Sequence, residues 1–147
     1  MINKYLEVIS LIERVHRNYF DLIRAELNQI AVKDINATQA FLLLKVGYAK
    51  ITINEVRSRI NYFGGHTSYL VRRLIESGYL LCEHSPHDFR IIDIFLSAKG
   101  RTFYARLTEM HERHIACPEA ASSPDLERTV WALRQIEEFW IDQVLGL

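Results

Sequence analysis

Apolar side chains across residues 3–30 recur at steps of three and four. Tyr5, Val8, Ile12, Val15, Tyr19 and Leu22 form one stripe, and Leu6, Ile9, Phe20, Ile23, Leu27 and Ile30 form a second. This spacing predicts one long helix, unbroken by Gly or Pro. Two stripes require burial on more than one side, so one face meets its own domain and the other needs a further partner. Asn36 with Gln39 reads as a capping box opening a helix from Ala37 to Val46, stopped by Gly47. Thr52 with Glu55 is a second box, opening a helix to about Ile60. The run Asn61-Tyr62-Phe63-Gly64-Gly65 is a turn by composition. A further helix is expected from about His66 to Ser77, with Leu70, Val71, Leu74 and Ile75 at core spacing and Gly78 closing it.

Residues 79–84 and 91–96 are then two strand candidates, the second rich in β-branched residues. Ser85-Pro86-His87-Asp88 between them is a turn signal. Together they predict a hairpin of about six residues a side. Ser97 can cap a helix running to roughly Ile115. Residues 117–123 are a small-residue loop, and Ser123-Pro124 reads as an N-cap followed by proline at the first helical position. The last helix carries Leu126, Val130, Leu133, Ile136, Trp140 and Val144, with Trp131 and Phe139 alongside. The expected fold class is mainly α with a small β-hairpin, a winged helix-turn-helix with flanking helices. No repeat or linker marks a second domain, so residues 1–147 are taken as one.

Composition narrows the function. With 49% hydrophobic residues among 147, the chain can bury a core. No apolar run approaches the roughly 18 residues of a membrane span. Glu7 and Glu13 interrupt the N-terminal apolar stretch, so no signal peptide is expected and the default compartment is the cytoplasm. Cys82 and Cys117 make neither a disulfide framework nor a zinc ribbon, and are expected as reduced thiols. Nothing resembles a P-loop, a serine nucleophile elbow, a HExxH motif or paired catalytic carboxylates, so no enzyme activity and no cofactor are expected.

The net charge is zero, which is not the balance typical of a nucleic-acid binder. Its distribution changes that picture. Residues 1–49 carry 6 Lys/Arg against 5 Asp/Glu, residues 50–101 carry 8 against 5, and residues 102–147 carry 4 against 8. A basic middle, which also holds His66, His84 and His87, suits contact with a polyanion, while the arms do something else.

The helix that follows the 61–65 turn would lie in the major groove. With Leu70, Val71 and Leu74 facing the core, its other face shows His66, Ser68, Tyr69, Arg72 and Arg73. Arginine can pair with a guanine edge, and hydroxyls can reach bases or phosphates. Gly64 and Gly65 leave backbone N–H groups open to a phosphate. The bland reading of the arginines is a solvated helix face, and the adjoining hairpin argues against it. At the hairpin tip, His87 and Arg90 are candidates to meet DNA, and Asp88 can orient Arg90 by a bidentate pair. A surface ion pair in an ordinary turn is the alternative there.

The stretch Asp88–Gly100, DFRIIDIFLSAKG, resembles the wing signature of the MarR family of bacterial regulators. Asp88, Arg90, Leu96, Ser97 and Gly100 fall on its pattern. Residues 68–74 and Gly78-Tyr79-Leu80 are similar to that family's recognition helix and its exit, and the element order matches over nearly the whole chain. The resemblance implies a dimeric, sequence-specific binder of double-stranded DNA that regulates transcription. It implies an obligate homodimer built from residues 3–30 and 101–147, a DNA-binding lobe at 36–100 with its wing at 79–97, and a pocket for a possible small-molecule effector. The competing reading is a winged-helix protein-interaction module without specific DNA binding.

Two weaker signals are also present in the sequence. His111, His114 and Cys117 sit at three-residue steps, but residues six apart on a helix point to different sides, so no metal site is expected. Cys82, in a strand, is expected to pack as a small hydrophobe.

Overall fold

The computed structural model describes residues 1–60, 66–116 and 125–146. The chain falls into two compact units, Met1–His111 and Glu112–Leu147. The first contains α1 (Ile2–Gln29), α2 (Ala37–Val46), β1 (Ile51–Thr52), α3 (Ile53–Arg59), α4 (Thr67–Glu76), β2 (Leu80–His84), β3 (Ile92–Leu96) and most of α5 (Ala98–Ala116); the second contains α6 (Leu126–Leu145). Six helices and a three-stranded antiparallel sheet are thus described, in keeping with a mainly α winged-helix fold.

Local chemistry sets most boundaries. Both capping boxes form. The Asn36 side chain accepts from Gln39 N at 2.9 Å while Gln39 Oε1 accepts from Asn36 N at 2.9 Å. Thr52 and Glu55 exchange the same pair of bonds at 3.2 and 2.6 Å. Each box satisfies two N–H groups that a helix start leaves orphaned. Helix α4 ends where Gly78 takes φ +80°, which lets Tyr79 N reach back to Leu74 O at 2.9 Å.

The core runs through the first unit. Ile23 of α1, Leu42 and Leu43 of α2, Leu74 of α4, Leu80 and Ile94 of the hairpin and Leu107 of α5 are fully buried. Phe20, Leu27, Val56, Leu70, Val71, Leu96 and Phe103 are among the residues packed with them. The apolar positions anticipated on α4 therefore face inward, and its other side is left to solvent.

Three expectations need correction. The sheet has a third strand: Ile51 pairs with Ile94 and Thr52 with Asp93. The hairpin ladder is five residues a side, Leu80↔Leu96 to His84↔Ile92. Tyr79 lies outside it because its N–H closes α4 while its carbonyl takes Ser97 N. Finally, α6 is capped by Asp125, whose carboxylate accepts from Arg128 N at 3.0 Å, so the helix begins at Leu126. Ser123 and Pro124, together with the 61–65 turn and the 117–123 loop, lie outside the described residues.

Burial along α1 is one-sided and confined to its second half: Phe20, Ile23, Glu26 and Leu27 are buried. Ile2, Tyr5, Leu6, Ile9, Leu11, Val15 and Leu22 remain exposed. Helix α6 buries no residue and exposes Leu126, Val130, Trp131, Leu133, Phe139, Ile141, Val144 and Leu145.

Candidate nucleic-acid interface

Helix α4 presents its outer face through residues that the buried Leu70, Val71 and Leu74 place by default. His66, the residue preceding the helix, is exposed, as are Tyr69, Arg72 and Arg73, while Ser68 is half-buried. Tyr69, a large aromatic, is 59% exposed. Ser68 and Arg72 are four residues apart and share a side, as do Tyr69 and Arg73. Arg73 is engaged by its own helix, Nη1 lying 2.8 Å from Glu76 Oε2. Arg72 makes no ion pair or hydrogen bond among the described residues. The four side chains thus differ: Tyr69 and Arg72 are uncommitted, Arg73 is paired, and Ser68 accepts from Arg57 Nη2 at 2.7 Å. Gly65 lies outside the described residues.

The hairpin tip is tied down by its own backbone and one carboxylate. Ser85 N donates to Ile91 O and Ile91 N to Asp88 O, both at 2.9 Å. His87 is exposed, its N–H directed to Ser85 Oγ at 3.4 Å. Asp88 Oδ1 accepts from Arg90 N at 2.9 Å and from Arg90 Nε at 3.3 Å. This orients Arg90, but one oxygen serves both bonds, so the expected bidentate fork is replaced by a turn-type clasp. The Arg90 side chain remains 92% exposed. Behind it, the His84 ring stacks on Phe89 at 5.3 Å, and His84 Nδ1 lies 2.8 Å from Phe89 O.

The base of the hairpin is welded to α5. Ser97 Oγ donates to Gly78 O at 2.5 Å and accepts from Gly100 N at 3.0 Å. Leu96 is 2% exposed. Asp34, in the α1–α2 connection, accepts from Tyr79 OH and Lys99 Nζ, both at 2.7 Å, and Lys99 lies 4.2 Å over the Tyr79 ring. Partial burial works against the Asp34 carboxylate, but the bonds from Lys99 and Tyr79 outweigh it and hold its pKa below the ordinary carboxylate value. Burial, reinforced by Asp34, pushes the Tyr79 phenol far up.

Comparison with known proteins also returns a winged helix. The family model for the winged helix DNA-binding domain matches residues 35–100. The chain is 32% identical over 139 residues to the exopolysaccharide II synthesis transcriptional activator ExpG of Rhizobium meliloti (strain 1021), covering 92% of this chain and 71% of that one. The fold is similar to Streptococcus pneumoniae FabT in complex with DNA, with TM-score 0.75, 18% identity and coverage of 95% and 99%. It is also similar to a MarR variant from E. coli complexed with operator DNA, with TM-score 0.68, 19% identity and coverage of 92% and 97%. The chain belongs to the MarR family. It is a DNA-binding transcriptional regulator.

In this MarR-family chain the wing signature divides into two jobs. Leu96, Ser97 and Gly100 join the sheet to α5, while Asp88 and Arg90 shape the tip. Sequence reasoning missed Arg57 on α3, which reaches Ser68 of α4, and Asn54, which accepts from Arg57 within α3; both lay inside a helix recognised only by its cap. It also misplaced Cys82. That residue lies on β2, an edge strand of the sheet, and the thiol is exposed and free. His111 is spent on structure: Nδ1 lies 2.6 Å from Leu107 O and Nε2 2.9 Å from the Tyr19 hydroxyl. Burial raises the pKa of that tyrosine. A cavity of about 340 Å3 is lined by Ile30, Val32, Tyr79, Lys99, Phe103 and Arg106. No described helix is long and apolar enough to cross a membrane.

Proposed function

We propose that this regulator works as a homodimer, laying α4 in the major groove and the hairpin tip along the flanking minor groove of a two-fold operator. One observation carries the reading: a recognition helix whose Tyr69 and Arg72 are uncommitted stands on the same lobe as a wing whose Arg90 is clasped at its base yet 92% exposed. Helix N-terminal residues contact base edges in this class of binder, and a projecting arginine suits the electronegative minor groove. Ser68, Tyr69 and Arg72 lead the contact set. His66, Gly65 and His87 flank it. Arg73, already paired with Glu76, takes a secondary place in it. Residues 36–100 serve as the DNA-binding lobe, and residues 3–30 and 101–147 as dimerisation helices, so that 1–147 functions as one domain. The cavity beside Lys99 and Arg106, with Phe103 as an apolar wall, is the place for a small organic anion acting as effector.

The test is selection of duplexes from a randomised library, followed by titration of Tyr69→Ala and Arg72→Ala on the selected set. Each lost base contact should cost about 1–3 kcal/mol at its own base pair and relax preference there. If both variants weaken every duplex equally, these residues touch phosphate only and the readout assignment fails.

A further inference from the structure

The arginines of the winged-helix lobe are not equivalent. Arg59 Nη1 is directed to the Lys45 and Val46 carbonyls at 3.2 and 3.3 Å, closing the end of α2. Arg73 is neutralised by Glu76, and Arg90 is clasped by Asp88. Arg57 has a different setting. It is exposed on α3 and is held by two neutral acceptors from two helices: Asn54 Oδ1 at 3.3 Å from Nη1, and Ser68 Oγ at 2.7 Å from Nη2. Among the described residues no carboxylate pairs with it. Its full charge survives, and among the described residues its other N–H groups are uncommitted.

Ser68 is changed by this contact. A serine hydroxyl is one donor and a two-lone-pair acceptor. Here the oxygen already accepts from a cation, and the hydroxyl donates to nothing among the described residues. A second donor approaching Ser68 would meet the guanidinium's charge, whereas an acceptor would be drawn in. Ser68 and Arg57 therefore act as one donor-only surface with a net positive charge, bridging α3 and α4. In a helix-turn-helix the first helix crosses the sugar-phosphate backbone while the second enters the groove. The group that matches such a surface is a phosphate, anionic and acceptor-only.

We propose that Arg57 and Ser68, with Asn54 as the positioning residue, form a clamp on one DNA backbone phosphate at the α3–α4 junction, fixing the register of α4 without reading bases. This rests on the DNA-binding reading above. It also assigns Ser68 to phosphate, leaving base readout to Tyr69 and Arg72. A guanidinium held between two helices can grip only if those helices keep their relative setting, so the same contact both braces the motif and aligns it on the duplex.

The experiment uses the full chain and duplexes selected by the wild type from a randomised library. Arg57→Gln keeps hydrogen-bonding capacity and removes the charge. It should weaken all selected duplexes alike, by roughly tenfold, and lower the slope of log K against log salt by about 1. Methylphosphonates placed one at a time along each strand should reveal one position per half-site that weakens the wild type and adds nothing to the Arg57→Gln loss. Ser68→Ala should show a smaller loss coupled to that same position, and it keeps the test open should Arg57→Gln not fold. A changed ranking of sequences in Arg57→Gln, or the absence of any phosphate coupled to it, overturns the clamp. If the wild type retains no duplex at all, the DNA-binding reading itself falls; if it retains duplexes that Arg57→Gln binds unchanged, only the clamp falls.

Discussion

A methyl group at Gly100 would lie 2.1 Å from the Tyr79 carbonyl oxygen and 3.2 Å from Leu96 Cδ2. The first is a backbone atom whose oxygen already accepts Ser97 N, so it cannot swing aside. Gly100→Ala should cost about 1–3 kcal/mol in chemical denaturation, the usual range for forcing atoms into a packed site. An unchanged denaturation midpoint would mean that the weld between hairpin and α5 is softer than its geometry. Arg90 makes the opposite case, since it is almost wholly in solvent and its loss should spare stability. Arg90→Ala is expected to weaken binding most on operators with A·T-rich flanks, where the minor groove is narrow and most negative. Asp88→Ala should do the same more mildly, because Asp88 orients the arginine through its backbone and Nε without itself being a cation. Titration on operators that differ only in their flanks decides this; equal losses on both would remove the wing from the minor groove.

Elements were legible where local chemistry alone sets them. The Asn36–Gln39 and Thr52–Glu55 boxes, the glycine at 78 and the inward row Leu70, Val71 and Leu74 are visible in sequence because each is decided within a few residues. Strand β1 was not, since two residues carry no period and Ile51 gains its partner Ile94 only through tertiary pairing. Cys82 was misjudged for a related reason: alternation places it on the side of the buried Leu80, but it lies on the edge strand β2, where its partner Ile94 on the central strand is buried and the thiol is not. The Arg57–Ser68 bond and the Asp34–Tyr79–Lys99 group join residues 11, 45 and 65 positions apart, beyond any local pattern. That last group gives a pH test. The Asp34 pKa is lowered in the fold, so its contribution is present above the unfolded value of about 3.9 and is lost as pH falls through the folded value. The Tyr79 pKa is raised, so its contribution is present below about 10 and is lost as pH rises through the folded value. Asp34→Asn should lower stability near neutrality by about 1 kcal/mol, discounted for an exposed pair, and flatten the loss of stability below about pH 4. Urea denaturation across pH 3–7 measures both, and an acid limb as steep as the wild type's would remove Asp34 from the account.

At the scale of the molecule, charge and apolar surface divide the chain the same way. The basic excess lies in residues 50–101, which hold α4 and the wing, and the acidic excess lies in residues 102–147. An acidic segment is poorly placed against phosphate, so its exposed apolar residues need a different partner. Helix α6 exposes Val130, Trp131, Leu133, Phe139 and Ile141 with no buried residue of its own, and the first half of α1 exposes Tyr5, Leu6, Ile9 and Val15. Exposed apolar residues in such number on one helix are uncommon on a monomer and mark association. In the homodimer proposed above a second copy of the chain would cover them, and a two-fold operator would then offer half-sites one helical turn apart, about 34–36 Å, in two successive major grooves. Light scattering of the wild type at micromolar concentration should therefore give a dimer. The double variant Val130→Asp with Trp131→Asp places two carboxylates in that apolar face, where burial without partners is costly. It should scatter as a monomer or self-associate only at much higher concentration. On a two-half-site operator it should lose binding by roughly 10²–10⁴-fold, because the second half-site is no longer tethered to the first. On an isolated half-site it should bind as a wild-type subunit does, since Tyr69, Arg72 and Arg90 are untouched. A wild type that is folded, soluble and monomeric would sink the dimer. A double variant that stays dimeric would move the interface away from this face of α6.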